Sequence, residues 1–551
     1  MSKLPHDSRE EIPQSFEHLL YRTNPSSPSE SSPKHSFQFL LTHTHGFVDL
    51  VRDEISSLFD TTVPSRWFGN HSPSVSIYDY PTTLVGMKFN KPSKYYNNLL
   101  LNNTLMTVLN YKEVVYVNFN QLFTFEFLYG YNGFLIMNVE SRTEMDYNEF
   151  MNYLKMLTCH LNALPSVDNV YSFISIIPNV PLDKKSALPL FCDVIPYRTE
   201  DEPIWNQSFD LFEHLYQKQL ENYERTCENK EQDVTSEQDG NSTSNITVRK
   251  WFNNTSFRVT GIRKQTSIIR HDYSSVEVAA EYGYGVGQHV CKGMKVNLKQ
   301  YDIDILIYLD IDRAFTAMLL TPPLHRLQSA GLRYFQHNEG SFESLDDIYH
   351  YTKRDFRFKV GKSTLKPQTS YMLLKTLLME YPDLSAKVFG GELVNFVDPF
   401  AGSGTLSLAF NYFYIDKNSN VQMYNLDYND DEIQAMTENS VGHPNIHAMK
   451  CDARQIPFKD DMFDMVVTDM PFGVLCGTHS RNSKIYPKLV KHLERIVKPG
   501  GVALLLTIEV KLLDAQLYPR NAWDIKTLKA SLGELGKGMQ ATIYLCKRLL
   551  K

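Results

Sequence analysis

The stretch Val394 to Phe410, V-N-F-V-D-P-F-A-G-S-G-T-L-S-L-A-F, constrains this chain more than any other. A mostly apolar run ends at Asp398 and Pro399, a Gly-Ser-Gly turn follows, and apolar residues then recur at helical spacing to Phe410. The pattern predicts a strand, a tight turn and a helix. Gly402 and Gly404 permit positive φ and carry no side chain, so a polar ligand is expected against the backbone N–H groups that open the helix. The spacing is neither the three-glycine pattern of dinucleotide-binding folds nor a P-loop, which ends in Gly-Lys-Ser/Thr. Asp398, directly before the turn, suits the cationic amino-acid portion of a cofactor and would repel a pyrophosphate.

Three more strand ends follow in order. Val421 to Leu426 ends in Asp427, about one βαβ unit after Asp398 and suited to a ribose diol. Ile446 to Lys450 leads to Cys451-Asp452-Ala453, whose carboxylate suits an adenine amino group, and Phe463 to Thr468 leads into Asp469-Met470-Pro471-Phe472-Gly473. Strands ending in polar residues at one edge describe an open α/β sheet with its ligand outside the carboxyl ends.

These motifs resemble a family. D-P-F-A-G-S-G-T followed by D-M-P-F-G is similar to the S-adenosylmethionine-dependent THUMP-domain-containing tRNA guanine-N2 methyltransferases. The likeness extends to Gly361–Leu374, to Gly477–Pro487 and to F-R-V-T-G-I-R-K at Phe257–Lys264, which resembles the RNA-binding domain that names the family. It implies S-adenosylmethionine as cofactor, held by Asp398, Phe400, Gly402, Gly404, Thr405, Asp427, Asp452 and Ala453. It also implies catalysis by Asp469, Met470, Pro471 and Phe472, tRNA as substrate, and a small zinc-binding activator subunit as partner.

The implied chemistry is amine methylation. Guanine's exocyclic amine is a poor nucleophile because its lone pair is delocalised into the ring, so the protein must orient that pair. The Asp469 carboxylate and a main-chain carbonyl of the Asp-Met-Pro turn would accept its two N–H bonds, and Phe472 would stack on the flipped base. Neither a metal nor a covalent enzyme intermediate is required. Met470 stands where the commonest form of this loop has a first proline, which puts the loop's rigidity in question.

The fold class expected is α/β, with a C-terminal Rossmann-like methyltransferase domain preceded by α+β ferredoxin-like and THUMP domains. The boundaries are a disordered tail at 1–35, a ferredoxin-like domain at 36–167, and THUMP at 168–326 with a disordered insertion at about 224–246. A linker at 327–344 then leads to the methyltransferase domain at 345–551. A length of 551 residues accommodates these units. The seven cysteines are scattered without a C-x-x-C pair, and no apolar run reaches membrane-spanning length. A protein of the cytoplasm or nucleus, away from membranes, is expected.

Near the N-terminus, Phe37 onward reads as strand, turn at Gly46-Phe47, and amphipathic helix. His43 and His45 are read as solvated or hydrogen-bonded residues, not metal ligands. The alternating aromatics Phe119, Phe123, Phe125, Phe127, Tyr129 and Tyr131 lack accompanying Lys or Arg and are read as a packed strand face. Asp210 to Tyr223 is expected to be helical.

Net charge is −7, so an RNA-binding surface must be a local patch. Between Ile246 and Gln300 nine Lys or Arg face three acids, in a segment reading strand, helix, strand. Arg258, Arg263, Lys264, Lys292, Lys295 and Lys299 are the RNA-binding candidates there. Six bases against one acid between Lys353 and Lys366 either line the RNA path or cap the next element. His479, Arg481, Asn482 and Lys484, in a loop expected before a helix beginning at Tyr486, either contact phosphate beside the target base or are plain loop charges; Arg481 and Lys484 are the RNA-binding candidates among them. Two classes stay open: an RNA amino-methyltransferase acting on the tRNA acceptor-stem region or on a small nuclear RNA, and a non-catalytic RNA-binding scaffold.

Overall fold

The computed structural model describes residues 34–60, 62–65, 115–131, 133–228, 245–264, 270–321, 365–415, 419–473, 478–532 and 539–550. The expected tail, the linker, most of the acidic insertion and most of the second basic cluster lie outside them. Of that cluster Lys366 is described; its backbone caps the Pro367–Glu380 helix.

Two large sheets carry the fold. The N-terminal sheet has eight strands in the order β4-β5-β1-β6-β10-β9-β7-β8. These are β1 (Ser36–Thr42), β4 (Phe123–Tyr131), β5 (Phe134–Ser141), β6 (Asn169–Ile177), β7 (Ser256–Lys264), β8 (Lys295–Val296), β9 (Ile303–Asp310) and β10 (Arg313–Leu319). A separate ribbon pairs β2 (Thr62–Ser65) with β3 (Val115–Asn118). β1 pairs with β6 from Phe39↔Ser172 to Thr42↔Asn169, so one hydrogen-bonded sheet runs across position 167.

The apolar alternation of β4 forms the packed face read from it. Phe123 is buried, and the Phe125 ring lies 4.1 Å from that of Phe59 on the helix Val48–Asp60. His43 is a core histidine whose Nδ1 bonds the Thr44 carbonyl, and burial pushes its pKa down to about 4. The helix expected at Asp210–Tyr223 lies in a helical stretch from Glu202 to Glu228 that kinks at Tyr216, whose φ −118° and ψ 18° are not helical. Pro203 falls in its first turn, where a missing N–H costs no intrahelical bond. The strand, helix and strand between Phe257 and Leu309 are β7, Ser275–His289 and β9, the helix opening on a capping box between Ser274 and Glu277.

The C-terminal sheet has seven strands in the order β13-β12-β11-β14-β15-β17-β16. Its members are β11 (Leu393–Asp398), β12 (Asn420–Asp427), β13 (Ile446–Lys450), β14 (Phe463–Asp469), β15 (Val497–Thr507), β16 (Trp523–Leu532) and β17 (Met539–Arg548). β11 to β15 are mutually parallel, and β17 runs antiparallel to both β15 and β16. Strand order reverses on either side of β11, the place where open α/β sheets leave a crevice.

The two halves share buried contacts. At Gly46, with φ +99°, a Cβ would lie 2.3 Å from the Lys529 carbonyl oxygen, so the first turn presses directly on β16. Thr44 and Thr369 hydroxyls meet at 3.1 Å. Among the described residues no helix is long and apolar enough to cross a membrane.

Candidate active site

Parallel pairing brings the strand ends to one edge. Asp398 lies opposite Asn425, Asp427 opposite Lys450, and Asp469 opposite Leu506. Between them opens a cavity of about 670 Å³. The four catalytic candidates Asp469 to Phe472 line it, and so do all the expected cofactor residues except Gly404.

Both glycines of the turn adopt the positive φ expected of them. Gly402 (φ +52°) donates its N–H to Asp427 Oδ2 at 3.1 Å, and Gly404 (φ +85°) donates to the Ala401 carbonyl at 2.8 Å. The N–H groups of the two glycines are therefore bonded within the chain, and the helix itself opens at Thr405 and Leu406, which line the cavity. Gly404 caps the Thr405–Phe413 helix in left-handed geometry, and a Cβ there would meet Met436 Cγ at 3.2 Å. Its role is close packing under the cavity.

Each carboxylate has a distinct environment. Asp398, 2% exposed, accepts from the Thr468 hydroxyl at 2.6 Å and the Phe400 N–H at 3.1 Å. Burial raises its pKa to about 7 against those two bonds, and the charge on Asp427 adds to the rise. Asp427 is half-buried and accepts from Gly402 and, at 2.8 Å, from the Asn429 N–H. Asp452 is not free for an adenine amino group as expected. Arg454 grips both its oxygens at 2.6 to 3.0 Å, and that hydrogen bonding holds its pKa down. The pair spans only two positions, so the Arg beside Asp452 in the sequence was the overlooked signal.

Asp469 stands apart: its Oδ1 is buried without a partner among the described residues. Burial raises its pKa to about 8, and the charge on Asp398 adds to this. The following loop is braced in place of the missing proline. Met470, 1% exposed, sits in the apolar core and donates its N–H to the Leu506 carbonyl at 3.0 Å. The Pro471 carbonyl accepts from Asn482 Nδ2 at 2.7 Å and from the Tyr486 hydroxyl at 3.0 Å, and Tyr486 also meets Thr507 at 2.9 Å. Pro471's carbonyl is thus occupied, whereas the Met470 carbonyl accepts no hydrogen bond from the described residues.

That brace escaped sequence reasoning because the helix carrying it starts earlier than expected. It spans His479–Ile496 behind a Thr478 cap and contains Pro487 in its interior. A start at Tyr486 had placed that proline comfortably in the first turn. Arg481 and Lys484 therefore project from helix, not loop; both are exposed, and Arg481 lines the cavity with its guanidinium 5.9 Å from the Tyr428 ring.

The basic patch divides into two groups. Arg258 is bonded to Asp304 at 2.7 and 3.0 Å and stacks 3.8 Å from the Tyr301 ring centre. Arg263 donates to the carbonyls of His271 and Tyr273, and Lys264 pairs with Asp310 at 3.7 Å. These three bases are held by their own domain. Lys292, Lys295 and Lys299 are exposed.

Residues 391–537 match the family model for the RMKL-like methyltransferase domain. Over 294 residues the chain is 26% identical to the tRNA (guanine(6)-N(2))-methyltransferase THUMP3 of Bos taurus, covering 51% of this chain and 49% of that protein. The Homo sapiens protein of the same name is 24% identical over 294 residues with the same coverage. The chain thus spans about half the length of these curated relatives. Among solved structures it is similar to TrmN from Thermus thermophilus, at 15% identity and a TM-score of 0.43, over 94% of this chain and 100% of that one.

Proposed function

We propose that this chain is an S-adenosylmethionine-dependent RNA methyltransferase that forms N2-methylguanosine in the acceptor-stem region of tRNA. The observation that carries the proposal is the Asp469 carboxyl, which lines the cavity with Asp398 and Asp427 and has one buried oxygen without a partner among the described residues. The matched methyltransferase domain and the names of the relatives support it.

The residues present fit the cofactor. Buried Asp398 offers a carboxyl to an ammonium group, half-buried Asp427 offers one to a ribose diol, and the cavity lies at the carboxyl ends of the parallel strands. When bound, S-adenosylmethionine supplies a methyl group already activated on a sulfonium. What the chain adds is orientation. Asp469 and the Met470 carbonyl would accept the two N–H bonds of the amine and aim its lone pair, while Phe472 would lie against the base. The Pro471 carbonyl, held from the helix behind it, would keep that geometry through the reaction. Once ionised, Asp469 would also take the proton lost from nitrogen.

Lys292, Lys295 and Lys299 are exposed bases that would meet RNA phosphates, and Arg481, at the cavity wall, would lie beside the base. A small zinc-binding activator subunit is the proposed partner, on the family resemblance, and the cytoplasm or nucleus is the proposed compartment. The test is nucleoside mass spectrometry of an unmodified tRNA transcript incubated with protein and S-adenosylmethionine. New N2-methylguanosine is expected. Cofactor and RNA binding without methyl transfer, with and without the activator, would make the chain a scaffold instead.

A further inference from the structure

We propose that Asn482 reads the edge of the target base and selects guanine over adenine, an assignment that rests on the function proposed above. Asn482 is fully buried and lines the cavity with Asp469 and Met470. Its amide orientation is set from one side. Nδ2 donates to the Pro471 carbonyl at 2.7 Å and faces Glu509 Oε1 at 3.5 Å, so a flipped amide would press oxygen against a carbonyl oxygen and a carboxylate. Glu509 is itself fixed by His479 Nδ1 at 2.8 Å and, through its own N–H, by the Thr507 hydroxyl at 2.9 Å.

Among the described residues Oδ1 of Asn482 is then left buried without a partner, as is Oδ1 of Asp469. Buried acceptors without donors are rare and unfavourable, and two in one cavity point to donors on the ligand. With the Met470 carbonyl the site presents three acceptors. Guanine offers three donors along one edge, N1–H and the two N–H bonds of the N2 amine. Adenine sets a ring-nitrogen lone pair beside its amine, which would face an acceptor oxygen. Asp469 and Met470 take the amine in the proposed mechanism, so N1–H falls to Asn482.

The experiment uses the full chain, an RNA containing the guanosine it methylates, and the same RNA synthesised with 2-aminopurine at that position, which keeps the amine but lacks N1–H. Wild type should favour guanosine in kcat/KM by about tenfold or more, and Asn482→Ala should reduce that preference to about twofold. Tyr486→Phe removes the other donor to Pro471, yet Tyr486 does not line the cavity, so it should slow both substrates alike and keep the preference. Asn482→Asp retains an acceptor oxygen and should keep the preference at lower rate; it also serves if Asn482→Ala does not fold, which melting curves and cofactor binding report. An unchanged preference in Asn482→Ala, or none in wild type, overturns the Asn482 assignment alone. No methyl transfer to the guanosine RNA by wild type overturns the proposed function with it.

Discussion

Glu54 and Lys375, 321 positions apart in the chain, form an ion pair of 2.8 Å with both side chains buried. Glu54 comes from the N-terminal helix Val48–Asp60 and Lys375 from the helix Pro367–Glu380 that precedes the methyltransferase sheet. Tyr371 also donates to Glu54, and the Ser166 N–H approaches its other oxygen at 3.3 Å. The pair thus ties the two halves at a point shielded from water.

Removing one partner should strand the other charge. Glu54→Ala is expected to lower the unfolding free energy by about 3–5 kcal/mol, whereas Glu54→Leu with Lys375→Met should recover most of the loss. Urea unfolding checks this, and an unshifted Glu54→Ala midpoint would show that the pair does not stabilise the joint.

Asp398 and Asp469 make stability depend on pH in an unusual direction. Their folded pKa values are raised to about 7 and about 8 from the ordinary 3.8, so the folded chain holds more protons than the unfolded one in between. Their contribution is complete below about pH 4 and is lost as pH rises through 7 to 8. Between pH 6 and 8.5 the cofactor-free protein should lose about 1–3 kcal/mol for each carboxyl. Asp398→Asn and Asp469→Asn should each flatten the profile; denaturant midpoints at the two pH values that move as far as in wild type would contradict this.

Cationic cofactor should bind with release of a proton near pH 7, because Asp398 is proposed to ionise against it. Calorimetry in buffers of different ionisation enthalpy measures that proton directly. Affinity that falls on raising pH from 6 to 8 would remove Asp398 from the ammonium site.

Gly404→Ala should cost about 1–2 kcal/mol for the left-handed backbone alone. The added methyl also meets Met436 and the Asn425 amide nitrogen, at 3.2 and 3.4 Å. Weaker cofactor binding should accompany the lower melting temperature; a variant as stable as wild type would mean that the turn yields easily.

Much of the cavity edge was legible in the sequence because it is local. The parallel strands β11, β12 and β14 each end on the acid that closes their own apolar run, Asp398, Asp427 and Asp469, so strand periodicity located the cavity edge without tertiary information. What stayed hidden was pairing across distance. Nothing near Arg258 announces that Asp304, on the neighbouring strand, will hold it, nor that the carbonyls of His271 and Tyr273 will claim Arg263. Counting bases therefore overestimated the surface open to RNA.

A sharper RNA prediction follows from that division. Replacing Lys292, Lys295 and Lys299 together by Glu should weaken tRNA binding and leave the melting temperature nearly unchanged. The slope of log affinity against log salt should fall by roughly 0.9 for each phosphate that is no longer neutralised. Arg258→Glu should instead destabilise the domain by facing Asp304 with a like charge. Equal RNA affinity for the triple variant and wild type, in gel-shift titrations across salt, would exclude the exposed lysines from the interface.

The central claim is that Asp469 presents a guanine amine for methylation. Transfer of labelled methyl from S-adenosylmethionine to unmodified tRNA, measured for wild type and Asp469→Ala alongside cofactor and RNA affinities, tests it most directly. The expected result is a loss of at least about a hundredfold in rate with both affinities nearly unchanged. Methyl transfer by Asp469→Ala at the wild-type rate would contradict the role assigned to that carboxylate.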